Sequence, residues 1–205
     1  MSNVSSGSVA HRNRLIIISI ILISLVPFGA AWYLARHTEL VQDRQKSNYG
    51  HFVVPPLPLD YAELLQKPVS AVETLTEIKG RWVLVQLATS SVCDSACLEA
   101  NHKTAQLRLM LNKEISRVRR LLLVSGAVDE SALKSLAAED PTLIVTRVPE
   151  ALLQKLNDAA GMPLVDGTLL LLDPFANVMM RYDAGFDPYG VLRDLQKLLK
   201  ASQIG

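Results

Sequence analysis

Cys93 and Cys97 are the residues of this chain best suited to chemistry. They are its two cysteines, four positions apart in TSSVCDSACLEA, residues 89–100. The thiolate is the form of cysteine that attacks disulfides and binds soft metals. A helical turn brings positions four apart onto one face. The pair can therefore close as a disulfide or hold one soft ion, and two thiolates suit Cu(I). A structural zinc site takes four ligands, so a cysteine-rich zinc site within one chain is excluded. Two cysteines are also too few for a disulfide-built scaffold. The bland alternative is a pair of small core residues on a helix.

The elements around the pair favour chemistry. Residues 82–88, WVLVQLA, form an apolar run bounded by polar residues and predict a buried strand. From Asp94 to about Ile115 the spacing predicts a helix, with Ala100, Leu107, Met110 and Leu111 on one face. A thiol where a strand feeds a helix points toward free backbone N–H groups and the positive end of the helix dipole, which favours the thiolate. Cys93 is the better placed of the two. The adjacent Asp94 works against it, because one negative charge disfavours another nearby.

Further along, strands are expected at 121–125, 142–148, 168–172 and 178–183, and helices at 130–138 and 150–160. Gly161 and Pro163 end the second of these helices. Asp187 and Pro188 make a cap and first turn for a last helix, with Val191, Leu192, Leu195, Leu198 and Leu199 as its apolar stripe. Strands alternating with helices imply a mostly parallel sheet covered on both faces. With a closing hairpin, this is an α/β, thioredoxin-like domain. Arg117, Arg119 and Arg120 read as the solvated end of the long helix, with a patch facing anionic lipid or a partner as the functional alternative.

The N-terminal part reads differently. Residues 15–34, LIIISIILISLVPFGAAWYL, carry no charge and are long enough to cross a bilayer. Trp32 and Tyr33 suit a headgroup region. Arg12 and Arg14 precede the segment, which places residues 1–14 in the cytoplasm and the C-terminal domain outside, at an inner (plasma) membrane. A cleaved signal peptide, cut near Gly29-Ala30-Ala31, is the other reading. Residues 35–59 are expected to be a stalk stiffened by FVVPPLPLD, with the folded domain at 60–205. Over the 205 residues the formal net charge is +1, which points to no nucleic-acid partner.

The chain resembles the Sco/SenC family of copper chaperones and thiol-disulfide proteins over residues 75–199. The likeness lies in LTEIKGRWVLVQLA before the cysteines, the C-x-x-x-C itself, and VDGTLLLLDPFANVMMRYDAG near the end. It implies a membrane-anchored thioredoxin-like domain that serves assembly of the dinuclear copper centre of cytochrome c oxidase. Cys93 and Cys97 would be its redox or Cu(I)-binding thiols, with a copper-oxidase subunit or another assembly factor as partner. The chain departs from the family in having Asp94 and Leu98 where prolines follow the cysteines, and Gly167 where the third copper ligand, a histidine, follows V-D. No third ligand is carried over. His102 falls off the cysteine face and reads as a surface residue. His51 sits in the expected stalk, His11 and His37 flank the apolar segment, and Met162, Met179 and Met180 read as core filler. Asp166 and Asp173 read as turn or cap residues. Three functions stay open: a Sco-like assembly factor, a general thiol-disulfide oxidoreductase, and a thioredoxin-like binding module without chemistry.

Overall fold

The computed structural model describes residues 6–36, 48–70, 74–89, 93–126 and 129–202. The chain divides into two units, Met1–Ser47 and Asn48–Gly205.

The first unit is helix α1, Ser6–Arg36. Its segment Arg12–Tyr33, 22 residues, is long and apolar enough to cross a membrane. Pro27 lies within it and the helix continues through. The Arg36 guanidinium sits over the Trp32 ring, 4.6 Å from its centroid.

The second unit is built on a seven-stranded sheet. In chain order its elements are β1 (His51–Pro58), α2 (Tyr61–Leu64), β2 (Lys67–Pro68), α3 (Thr74–Ile78), β3 (Trp82–Ala88), α4 (Ser95–Met110), a 3-10 turn (Asn112–Arg117), β4 (Val118–Val124), α5 (Glu130–Glu139), β5 (Leu143–Arg147), α6 (Glu150–Ala160), β6 (Leu169–Leu172), β7 (Asn177–Tyr182) and α7 (Pro188–Ala201). The strand order is β1-β7-β6-β3-β4-β5-β2. β3 lies at the centre, with every one of its side chains buried and all but Gln86 largely apolar. It pairs parallel with β4, Val85 opposite Leu121, and antiparallel with β6, Val85 opposite Leu170.

Alternate side chains of β3 face opposite layers. Val83, Val85 and Leu87, with Leu121 and Leu123, pack against Leu152, Leu153 and Leu156 of α6. Leu84, with Leu169 and Leu171, packs against Ala100 and Leu107 of α4 and Val191, Leu195 and Leu199 of α7. At the C-terminal end of β3, Ala88 joins Cys97, Leu122, Val124 and Leu133 of α5. The sheet is therefore mixed and has helices on both faces. The thioredoxin-like α/β architecture is the one expected, but the sheet is not mostly parallel as the alternation implied: β3–β4 and β4–β5 are parallel and the other four pairings antiparallel.

Two further expectations are corrected. Residues 35–59 are not a stalk throughout. Ala35 and Arg36 end α1, residues 37–47 lie outside the described residues, and His51–Pro58 is the edge strand β1, paired antiparallel with β7. The ladder shifts register between Phe52 and Leu57, where Pro55 and Pro56 offer no N–H. Val53 and Leu59 are buried in the core, and the Leu59 N–H donates to Ala176 O at 3.2 Å. An edge strand tolerates prolines that a central strand would not, which is how a proline-rich run joins the sheet.

The arginines are not a solvated helix end. α4 stops at Met110, Asn112 takes a positive φ of 50°, and β4 starts at Val118. Arg120 is fully buried in β4. It donates to Asp140 Oδ2 at 2.5 Å, Thr142 Oγ1 at 3.1 Å, Thr104 Oγ1 at 3.1 Å and Asn101 O at 2.9 Å. Arg119 donates to Glu77 Oε2 at 2.9 Å, and Arg117 to Leu199 O at 3.1 Å and Ser202 O at 2.9 Å. Each side chain ties one element to another.

Candidate functional site

β3 delivers the chain to the cysteines and α4 carries it away. Asp94 is the N-cap of α4. Its side chain accepts from the Cys97 N–H at 2.9 Å, and its backbone carbonyl accepts from the Leu98 N–H at 2.9 Å. The aspartate that disfavours a neighbouring thiolate is thus also the residue that starts the helix. Cys93 stands just ahead of the cap and Cys97 in the first turn.

The two sulfurs are joined as a disulfide, S–S 2.02 Å with Cα atoms 5.2 Å apart. Their surroundings differ. Cys97 is 1% exposed and packs among Ala88, Leu122, Val124, Leu133, Leu143 and Val145. Cys93 is half-buried and opens onto a hollow of about 270 Å³ between the start of α4 and α5. A thiolate arriving from solvent meets Cys93 first, and Cys97 is placed as the inner, leaving sulfur.

The loop before β6 closes the other side. Asp166 Oδ1 accepts from the Thr89 N–H at 2.5 Å and the Thr89 hydroxyl at 2.7 Å. This links the late V-D segment directly to the end of β3, beyond the turn or cap role expected for Asp166. The sequence signal was its place next to Gly167; the pairing spans 77 positions and no local pattern reports it. Asp173 keeps its expected role, accepting from the Phe175 and Asn177 N–H groups at 2.9 and 2.8 Å within the β6–β7 turn.

Gly167 is buried, with φ +84°. A Cβ there would meet Ala96 O at 3.2 Å and Ala96 Cβ at 3.3 Å. Ala96 lies between the two cysteines, so the loop at Gly167 runs against the first turn of α4 too closely for a Cβ unless one of them shifts by a few tenths of an ångström. Other candidates lie elsewhere. His102 is exposed and its Nε2 pairs with Gln106 Nε2 at 2.8 Å. His51 is on β1, 3.7 Å from Asp183, three strand spacings or about 14 Å from β3. Met179 and Met180 belong to β7, with Met180 buried beside the Tyr182 hydroxyl, and Met162 is 39% exposed after α6. Only the helical backbone of His11 is described, and His37 lies outside the described residues. Among the described residues no group of three or more His, Cys, Asp and Glu side chains is placed to hold a metal ion. The described residues do not fit a three-ligand copper site; they offer two sulfurs, and only after reduction.

The model of a family described as transmembrane-like, thioredoxin-like, C-terminal domain matches residues 82–202. The chain belongs to this family. The match begins at the first residue of β3 and runs through α7, so it takes in the cysteine junction and the closing hairpin. The comparison with curated proteins finds no match. Among solved structures, the chain is similar to a putative thioredoxin from Neisseria meningitidis at 10% identity, covering 62% of this chain and 81% of that one, TM-score 0.46. It is similar to a thiol:disulfide interchange protein from Bacteroides sp. at 12% identity, covering 63% and 80%, TM-score 0.45. It is also similar to copper-bound ScoI of Arabidopsis thaliana at 13% identity, covering 62% and 89%, TM-score 0.49.

Proposed function

We propose that the chain is a membrane-anchored thiol-disulfide exchange protein in which Cys93 is the reacting sulfur and Cys97 the resolving one. The observation that carries this reading is the asymmetry of the pair: one sulfur open to a hollow, the other in the core. In the oxidised protein, a partner thiolate attacks Cys93 Sγ. The Cys93–Cys97 bond breaks and Cys97 leaves as a thiolate that takes a proton from solvent. The partner's second thiolate then attacks the mixed disulfide and releases Cys93. Two electrons have passed from the partner dithiol to the protein, and the partner holds the new disulfide. The reverse sequence reduces a partner disulfide, and relative reduction potentials set the direction.

The Sco/SenC resemblance supports a copper-oxidase subunit, or another assembly factor for such an oxidase, as the partner. Arg12 and Arg14 ahead of the apolar segment, together with an oxidised pair, support a single-pass protein with its domain on the extracytoplasmic (periplasmic) side. Trapping tests the exchange reading. Cys97→Ser should accumulate mixed disulfides through Cys93, and Cys93→Ser should trap far less, because Cys97 is enclosed. Equal or absent trapping by both variants would contradict the assignment.

One observation favours a second reading. Cys93 and Cys97 flank the start of α4 with their Cα atoms 5.2 Å apart, so once reduced they can hold Cu(I) between two thiolates. Copper would then be cargo, carried without a third protein ligand. An anaerobic Cu(I) titration of reduced protein, with Cys93→Ala/Cys97→Ala as control, tests it: one equivalent bound only by the intact pair supports it, and equal binding by both rules it out.

A further inference from the structure

We infer that the hollow beside Cys93 selects its exchange partners, favouring a cysteine segment that carries an aliphatic side chain next to the reacting sulfur and a basic residue beyond it. This rests on the exchange reading above and names the substrate class for the same site.

The hollow, about 270 Å³, is lined by Cys93, Leu98, Ala132, Leu133, Ser135, Leu136 and Glu139. Its walls are the first turn of α4 and one face of α5, and most of them are apolar. Leu98 is 51% exposed, an aliphatic side chain held in water one residue beyond the enclosed Cys97. An aliphatic group entering beside Cys93 would cover Leu98 and Leu136 together and remove apolar surface from both molecules.

The rim supplies the charge preference. The Glu139 side chain makes no hydrogen bond or ion pair among the described residues and stands on the wall of the hollow. Asp94, exposed, adjoins Cys93 and spends one oxygen on the Cys97 N–H. Lys134, on the same helix as Glu139, pairs with Glu130 at 3.0 Å. Glu139 on the wall, with Asp94 next to Cys93 in the chain, gives the apolar hollow an acidic edge, which complements a cationic side chain on the partner. Cys93 at the edge of the slot places the partner's sulfur within reach of the bond to be exchanged.

The test uses the full chain in detergent micelles and short cysteine peptides that differ only in their two neighbouring residues. Rates of protein disulfide reduction are divided by the rate with dithiothreitol, which is too small to use the slot. The leucine/arginine peptide should be about tenfold faster on this scale than the serine/glutamate peptide. Glu139→Lys should invert the preference between arginine and glutamate peptides, Glu139→Gln should erase it, and Leu98→Asn should shrink the leucine preference. Equal ratios for all peptides, or an unchanged preference in Glu139→Lys, would overturn the selection while leaving exchange intact. Failure of dithiothreitol itself to reduce the disulfide would overturn the exchange reading and the selection with it.

Discussion

A side chain at position 167 would have to adopt φ +84° and press on Ala96 O at 3.2 Å. Placing a histidine there should therefore destabilise the domain by about 1–3 kcal/mol, read as a lowered denaturation midpoint. Asp94 acts in two ways at once. Asp94→Ala removes the cap on α4, a loss of about 1 kcal/mol. It also removes the carboxylate beside Cys93, so the pH profile of Cys93 alkylation in reduced protein should move to lower pH. An unmoved profile would mean that the aspartate acts only as a cap.

Among the elements, β4 is tied to α4 and the end of α5 through one buried charged side chain. Arg120 is fully enclosed and its charge is met by Asp140 at 2.5 Å. Burial opposes ionisation of Asp140, but hydrogen bonds from Thr142 and Arg120 outweigh it and hold its carboxyl below the ordinary value. A depressed folded pKa means that this contribution is present above the unfolded carboxyl pKa of about 4 and is lost as pH falls through the folded value. Asp140→Asn should cost about 3–5 kcal/mol at neutral pH and flatten the acid limb of stability, whereas Arg120→Met/Asp140→Leu should come close to neutral. Urea midpoints across pH 3–7 check both. These elements also show where sequence is legible. β3 declared itself because an unbroken apolar run has one sensible place, the middle of a covered sheet. The strand–cysteine–helix junction and the last helix followed from capping and spacing. β1 did not, because its prolines look the same in a spacer and in an edge strand, and only its pairing with β7 separates them. Arg120 did not, because its partners lie on two other segments, and a burial so distributed leaves no periodic trace. The contact of Gly167 with Ala96 was hidden for the same reason, although the glycine itself was plain.

At the scale of the whole chain, a helix able to cross a membrane precedes a domain of the transmembrane-like, thioredoxin-like family whose cysteine pair is half open to its surroundings. The central claim is that this disulfide is an exchange partner and not a structural staple. An equilibrium redox titration of the full chain in detergent, quenched by mass-tagging of free thiols, tests it most directly. The account predicts one reversible two-electron transition between roughly −120 and −270 mV, the range of exchange proteins, abolished in Cys93→Ala/Cys97→Ala. A pair that stays oxidised below about −300 mV, where structural disulfides lie, would contradict it.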